Sequence, residues 1–255
     1  MNIYAMLESH FFHHADAVIA NTDAVCKLWS ARYPRHRDKF HVIWNGFDPD
    51  EIISALPIPQ RGYRHLVHVG ELYGGRHPGP ILDSIQRLVA RGALSPGSLR
   101  LSLIGPSSDA AIPNIDVLRR LVDDGVVDYV PLQVPQDKAR LIASQADALL
   151  LLQPHSDIHL PAKVFEYIRV GRPVLAFIRR GSPAEYVLGG SGIPYRSIYP
   201  DDPPEDVDVK LMEFLTLSSD PVSPSNWFAE QFNAHRQAES LSAIVHALPD
   251  HGNPT

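Results

Sequence analysis

The sequence predicts an α/β fold, a doubly wound parallel sheet whose strands alternate with helices, and three observations carry that prediction. Short β-rich runs recur at 65–69 (HLVHV), 99–104 (LRLSLI), 147–152 (DALLLL) and 173–178 (PVLAFI). Segments with apolar residues at helical spacing separate them. The run at 147–152 is aliphatic almost throughout, the pattern of a strand covered on both faces. A chain of 255 residues is long enough for one large domain or two small ones. With 44% hydrophobic and 20% charged residues it is neither disordered, collagen-like nor a coiled coil.

The elements follow in order. Residues 4–14 (YAMLESHFFHH) gather apolar and aromatic positions on one side of a helix, and 16–20 (DAVIA) give a short strand. Asn21-Thr22-Asp23 cap a second helix that carries Val25, Leu28 and Trp29 and ends at Pro34. A strand at 40–44 (FHVIW) stops at the Asn45-Gly46 turn. After a spacer at 57–61, the strand at 65–69 runs through a glycine-rich loop, 70–75, into a helix at 79–91. The strand at 99–104 ends at Gly105-Pro106. A helix near 114–123, a strand at 126–130 and a helix at 136–145 precede the strand at 147–152. A helix at 161–169, a strand at 173–178 and a helix at 183–188 complete the alternation. Residues 201–208 (DDPPEDVD) read as a solvated acidic loop. Residues 226–248 read as a helical tail offering Phe228, Phe232, Leu241, Ile244 and Val245 for packing. Prolines mark the junctions, so the expected units are 1–56, 57–200 and 201–255.

Charge and cysteine usage narrow the function. With 23 basic and 29 acidic residues the chain has no general field for a polyanion, which argues against nucleic acid as a partner. A lone Cys26 makes no internal disulfide and reads as a small core residue. The first twenty residues lack a signal-peptide pattern, and the apolar run at 148–152 is far too short to span a bilayer. A reducing, cytoplasmic setting is therefore expected. His10, His13 and His14, and His155 with His159, have ligand-like spacing, but no cysteine or carboxylate completes either set, so no metal is expected. His65 and His68, three apart on a strand, point to opposite faces. Trp29, Trp44 and Trp227 read as packing residues, with Trp44 at a hinge.

In open parallel sheets ligands lie beyond the carboxyl ends of the strands, which selects the loops at 70–76, 105–108, 130–136 and 153–163. Gly70, Gly74 and Gly75 allow close backbone approach to an anion, and Arg76 can hold two phosphate oxygens. The loop matches neither the Walker A nor the GxGxxG pattern, and an ordinary tight turn explains it equally well. In LPAKVFEY, Pro161 suits a first helical position, Lys163 faces the same loop, and Glu166 lies on the same helix face as Lys163. That carboxylate could accept both ribose hydroxyls, or simply pair with Lys163 at the surface.

Three segments taken together resemble the retaining GT-B glycosyltransferases of family 4 over residues 15–195. They are ADAVIANTDAVCKLW with HVIWNGFD, LVHVGELYGGR with LSLIGP, and ADALLLLQPHSDIHLPAKVFEYIRVGRPVLA. The resemblance implies a GT-B fold with a Rossmann-like donor domain and only a remnant of the N-terminal acceptor domain. It implies a UDP- or GDP-sugar donor, no metal requirement, and a glycan or lipid-linked acceptor in polysaccharide biosynthesis. Peripheral membrane contact and a homodimer remain open. By the same resemblance Arg76 and Lys163 act on the pyrophosphate, Glu166 is the second glutamate of the family's EX7E motif and binds ribose, and Gly70, Gly74, Pro106 and the amides near Val164 pack against the phosphates. Val134 faces the base, and the leaving phosphate assists the acceptor hydroxyl. Two positions depart from the pattern. Ile158 stands where the first glutamate belongs, with Asp157 one residue out of register, and Glu71 puts a negative charge near the phosphates. The expected activity is sugar transfer, by the chain or as the donor half of an enzyme. The alternatives are a noncatalytic nucleotide-sugar-binding subunit and a sugar-nucleotide epimerase of the same shape.

Overall fold

A computed structural model describes residues 3–73, 75–107 and 112–248. The first elements are α1 (Ile3–His14), β1 (Val18–Ala20), α2 (Asp23–Arg32) and β2 (Phe40–Val42). β1 and β2 pair in parallel as a two-stranded sheet of their own. Thr22 caps α2, its hydroxyl accepting from the Val25 amide at 3.2 Å. Phe12 closes this unit, its ring 5.0–5.2 Å from those of Trp29, Tyr33 and Phe40.

The main sheet comprises β3 (Arg64–Val69), β4 (Leu99–Ile104), β5 (Val127–Val130), β6 (Ala148–Gln153), β7 (Val174–Ile178) and β8 (Tyr195–Ile198). Every pairing is parallel and the order is β5-β4-β3-β6-β7-β8. The intervening helices are α3 (Gly79–Ala90), α4 (Ile115–Asp123), α5 (Gln136–Ser144), α6 (Lys163–Val170) and α7 (Pro183–Gly190), followed by α8 (Pro204–Leu215), α9 (Asn226–Gln231) and α10 (Ala234–His246). Two helical layers cover the sheet. Leu150 and Leu152 of β6 join Leu82 of α3, Leu118 of α4 and Leu211 of α8 on one face. Leu149 and Leu151 join Ile168 of α6, Val187 of α7 and Phe228 of α9 on the other. The aliphatic run is thus a strand buried on both sides, as its composition demands.

The strand order fixes where a ligand can lie. Chain progression leaves β3 toward β4 and β5, then returns to β6 on the opposite side, so the crossovers on the two sides of the β3–β6 pair lie on different faces. The crevice at that reversal, outside the carboxyl ends of β3 and β6, is the topological switch point. Loop 70–76 follows β3, and the segment leading to α6 follows β6.

Three expectations are corrected. Residues 201–208 are not a solvated loop: Pro204 opens α8, with Glu205 and Asp206 in its first turn, where a fixed φ and acidic side chains favour a helix start. Asp208 is only 3% exposed. Its carboxylate accepts from the Ser84 hydroxyl at 2.6 Å and from Arg87 of α3 at 2.6 Å, with Arg91 at 3.4 Å. Burial pushes its pKa upward, but the Arg87 and Ser84 hydrogen bonds and the Arg87 and Arg91 charges outweigh this and hold it below the usual carboxylate range. The strand β8 was absent from the sequence pattern because Tyr195-Arg196-Ser197-Ile198 is a half-exposed edge with only Ile198 buried. The tail divides at Phe232, because the Asn233 side chain caps a new helix by accepting from the His235 amide. Phe228 and Phe232 are fully buried, whereas Leu241 and Val245 are 45% and 55% exposed.

The Asp208 cluster yields a stability test. Asp208→Ala strips a buried hydroxyl and a guanidinium of their shared acceptor and should cost about 2–3 kcal/mol, read as a lower urea midpoint at unchanged slope. A loss below about 0.5 kcal/mol would contradict that role.

Candidate functional site

The switch-point crevice is built by close backbone approach. Gly70, with φ at +159°, ends β3 and donates its amide to the Ile104 carbonyl at 2.7 Å. A Cβ on residue 70 would fall on the Lys163 ammonium, so glycine there makes room for the lysine. The loop after β4 packs against the same backbone, with the Leu72 amide donating to the Pro106 carbonyl at 2.9 Å. Across the crevice, α6 begins at Lys163, whose ammonium donates to the Val69 carbonyl. Arg76 donates to the Gln153 side-chain carbonyl at the end of β6, and its guanidinium lies 4.8 Å over the Tyr73 ring.

Two cavities meet at Lys163. One, of about 210 Å³, has His68, Gly70, Glu71, Arg76, Pro161 and Lys163 in its wall. The other, of about 40 Å³, is bounded by Lys163, Glu166, Tyr167, Arg140, Ile53 and Val69. Arg76 and Glu166, ninety residues apart in sequence, therefore stand on the same side of the molecule with Lys163 between them. Glu166 Oε1 accepts from Arg140 at 3.3 Å, and Arg140 also donates to Glu51. Burial lowers the Lys163 pKa, Glu166 opposes that shift, and Arg76 adds to it. A partly desolvated ammonium beside a guanidinium is a favourable place for an anion.

His68 is the other buried polar group in the wall. Its ring is paired on one side, Nδ1 donating to the Leu150 carbonyl at 2.9 Å, while Nε2 has no hydrogen-bond partner among the described residues. Burial first, then Lys163 and Arg76, drive its pKa down to about 3 against the opposing carbonyls of Leu150 and Gly70. The ring is neutral at ordinary pH.

The remaining sequence-predicted residues divide. Gly74 lies outside the described residues. Pro161 precedes α6 and its Ala162 cap, so it is not the first helical residue. The Val164 amide donates to the Pro161 carbonyl at 3.1 Å and its side chain is fully buried, so this amide is already satisfied. Pro106 acts through its carbonyl on Leu72, and Val134 packs against the core face that carries α5 and α6. Ile158 accepts the Thr22 hydroxyl on its carbonyl at 2.7 Å. Asp157 opens onto a different cavity with Arg179 and Arg180, so it does not replace the missing carboxylate. Glu71 is exposed at the rim of the larger cavity. His159 is engaged by Ser156 at 2.9 Å, while His155 fills the space that Gly75 leaves open. Sequence reasoning missed His68, Gln153, Arg140 and Glu51. A polar residue closing an aliphatic strand, as Gln153 does, was the available signal for one of them.

The sequence pattern of Glycosyltransferase Family 4 matches residues 2–51. No curated protein sequence matches the chain. Among solved structures, Anabaena Alr3699/HepE in complex with UDP and glucose aligns at a TM-score of 0.64 and 14% identity, over 93% of this chain and 65% of that one. Sucrose-phosphate synthase from Thermosynechococcus elongatus aligns at 0.65 and 15%, over 94% and 60%. WaaG, a glycosyltransferase involved in lipopolysaccharide biosynthesis, aligns at 0.59 and 19%, over 78% and 53%. The fold is that of the GT-B glycosyltransferases, and the chain spans 65% of the length of HepE. Among the described residues no helix is long and apolar enough to cross a membrane, and no group of three or more potential metal ligands converges.

The neutral His68 predicts an acid-labile fold. Unfolded, the ring takes up a proton near pH 6.5, whereas in the folded chain it stays neutral to about 3. Between those values the unfolded state binds more protons, so stability is complete above pH 6.5 and falls by about 1.4 kcal/mol per pH unit on acidification. His65, lowered to about 4 chiefly by burial, acts with the same sign. In urea titrations from pH 7 to 4, His68→Phe should flatten this slope, and an unchanged slope would contradict the assignment.

Proposed function

We propose that the chain binds a nucleoside diphosphate sugar, with uridine or guanosine as the nucleoside, and forms the donor side of a retaining glycosyltransferase. In this reading residues 1–56 belong with the acceptor side. The observation that carries the proposal is the convergence of Arg76 and Lys163 on one cavity at the switch point, with Glu166 in the adjoining one. Diphosphate sits on the two cations and the ribose hydroxyls reach Glu166. In transfer, the bond from the anomeric carbon to the β-phosphate oxygen breaks and its electron pair stays with that oxygen. The acceptor hydroxyl oxygen bonds to the same carbon, and its proton passes to the departing phosphate. Arg76 and Lys163 offset the charge that develops on the leaving group, the largest contribution a fixed site can make to such a step. The Family 4 match and the likeness to HepE, a protein solved with UDP and glucose, support this reading.

A noncatalytic binding subunit is the second reading, favoured by Ile158 in place of an acid and by Asp157 opening elsewhere. Isothermal titration with UDP and with GDP tests the site. Arg76→Ala and Lys163→Ala each remove a charge-assisted contact worth about 1.5–3 kcal/mol and should weaken binding roughly 10- to 100-fold. Glu166→Ala should weaken it about tenfold. Failure of the unaltered protein to bind either nucleotide would overturn the site. Binding of UDP-glucose or GDP-mannose without release of nucleoside diphosphate in the presence of glycan acceptors would favour the second reading.

A further inference from the structure

We infer that His68 is a specificity-determining residue whose Nε2 accepts a hydrogen bond from a hydroxyl of the donor's sugar. The inference rests on the donor-binding reading above and adds which part of the donor His68 meets. His68 is 3% exposed, so bulk water does not serve its lone pair. With Nδ1–H committed to the Leu150 carbonyl, Nε2 can only accept. It looks past Gly70 into the larger cavity: a Cβ on residue 70 would stand 3.3 Å from it, and glycine leaves that path open.

The chemistry of the wall decides what Nε2 can meet. Arg76 and Lys163, the charged side chains that face it from the loop after β3 and from α6, are donors that make no hydrogen bond to Nε2, and the nearby Gly70 carbonyl is an acceptor with no hydrogen to offer it. An ionised diphosphate oxygen has no hydrogen to offer and would set lone pair against lone pair. A nucleoside diphosphate sugar carries hydroxyl donors on the ribose and on the sugar, at opposite ends of the diphosphate, and its base N–H donors lie beyond the ribose, on the Glu166 side. Glu166 lies beyond Lys163 in the second cavity and takes the ribose. The sugar hydroxyls remain for His68. Ile158 offers no side-chain acceptor, Asp157 faces another cavity, and Glu71 is exposed at the rim, which leaves His68 as the buried side-chain acceptor of this wall among the described residues.

The test compares UDP with UDP-glucose and GDP with GDP-mannose by isothermal titration on the full chain and its His68→Phe variant. For the nucleoside diphosphate that the unaltered protein binds, the variant should lose about tenfold in affinity for the sugar conjugate and less than twofold for the free diphosphate, which also reports an intact fold. His68→Gln should recover part of the loss. Equal loss on both ligands, or loss on neither, overturns the inference while leaving the donor site standing. No binding of any of the four by the unaltered protein overturns the donor site itself, and the inference with it. In ¹⁵N spectra of the imidazole, Nε2 should remain unprotonated and shift on adding the sugar conjugate. An imidazolium in the complex with the free diphosphate would mean that His68 donates to phosphate, which also contradicts the proposal.

Discussion

The Lys163 ammonium reaches the Val69 carbonyl through a gap that Gly70 leaves, and the geometry of the crevice follows from that contact. It exists because β3 and β6 are neighbours although three helices and two strands, α3 to α5 with β4 and β5, separate them in sequence. Placing a lysine at the start of α6 then brings a cation to the end of β3, where Arg76 already stands. Burial is the largest burden on the Lys163 charge; Glu166 offsets the repulsion from Arg76 but does not make up for the lost hydration. An anionic ligand relieves more, so the arrangement that shapes the crevice also selects its occupant.

A second network ties the opening segments to this crevice. Arg140 of α5 bridges Glu166 and Glu51, Arg169 of α6 donates to the Glu51 carbonyl, and Thr22 donates to the Ile158 carbonyl. Trp44 stacks on Tyr186 at 5.8 Å and meets Phe232 at 5.7 Å, while Phe47 exchanges backbone hydrogen bonds with residues 232 and 234. Residues 22–51 are thus fastened to both the loop before α6 and the last helices. The carboxylate proposed to hold ribose is already oriented by Arg140, whose other partner belongs to the segment after β2.

Legibility in the sequence followed the range of the forces involved. β6 was readable because burial on both faces leaves only aliphatic residues, and α2 because its cap is a local hydrogen bond. β8 and α8 were not, since an edge strand with one buried residue lacks a pattern and an acid-rich stretch reads as solvated until Arg87 is known to face Asp208. In the candidate site, Arg76 and Lys163 stood out by charge type and position beside strand ends, whereas Glu166 was singled out over a plain ion pair with Lys163 through the family resemblance. His68 and Gln153 were not legible, because their meaning depends on neighbours across the sheet: Leu150 fixes the tautomer of one and Arg76 claims the other. The Val164 amide shows the converse, since a motif places it near phosphate while the local turn has already used it.

A crystal structure of the chain soaked with UDP addresses the account most directly. Diphosphate oxygens should lie within hydrogen-bonding distance of the Arg76 guanidinium and the Lys163 ammonium, with the ribose hydroxyls toward Glu166. Diphosphate seated instead on Arg179 and Arg180, in the cavity that Asp157 lines, would contradict it.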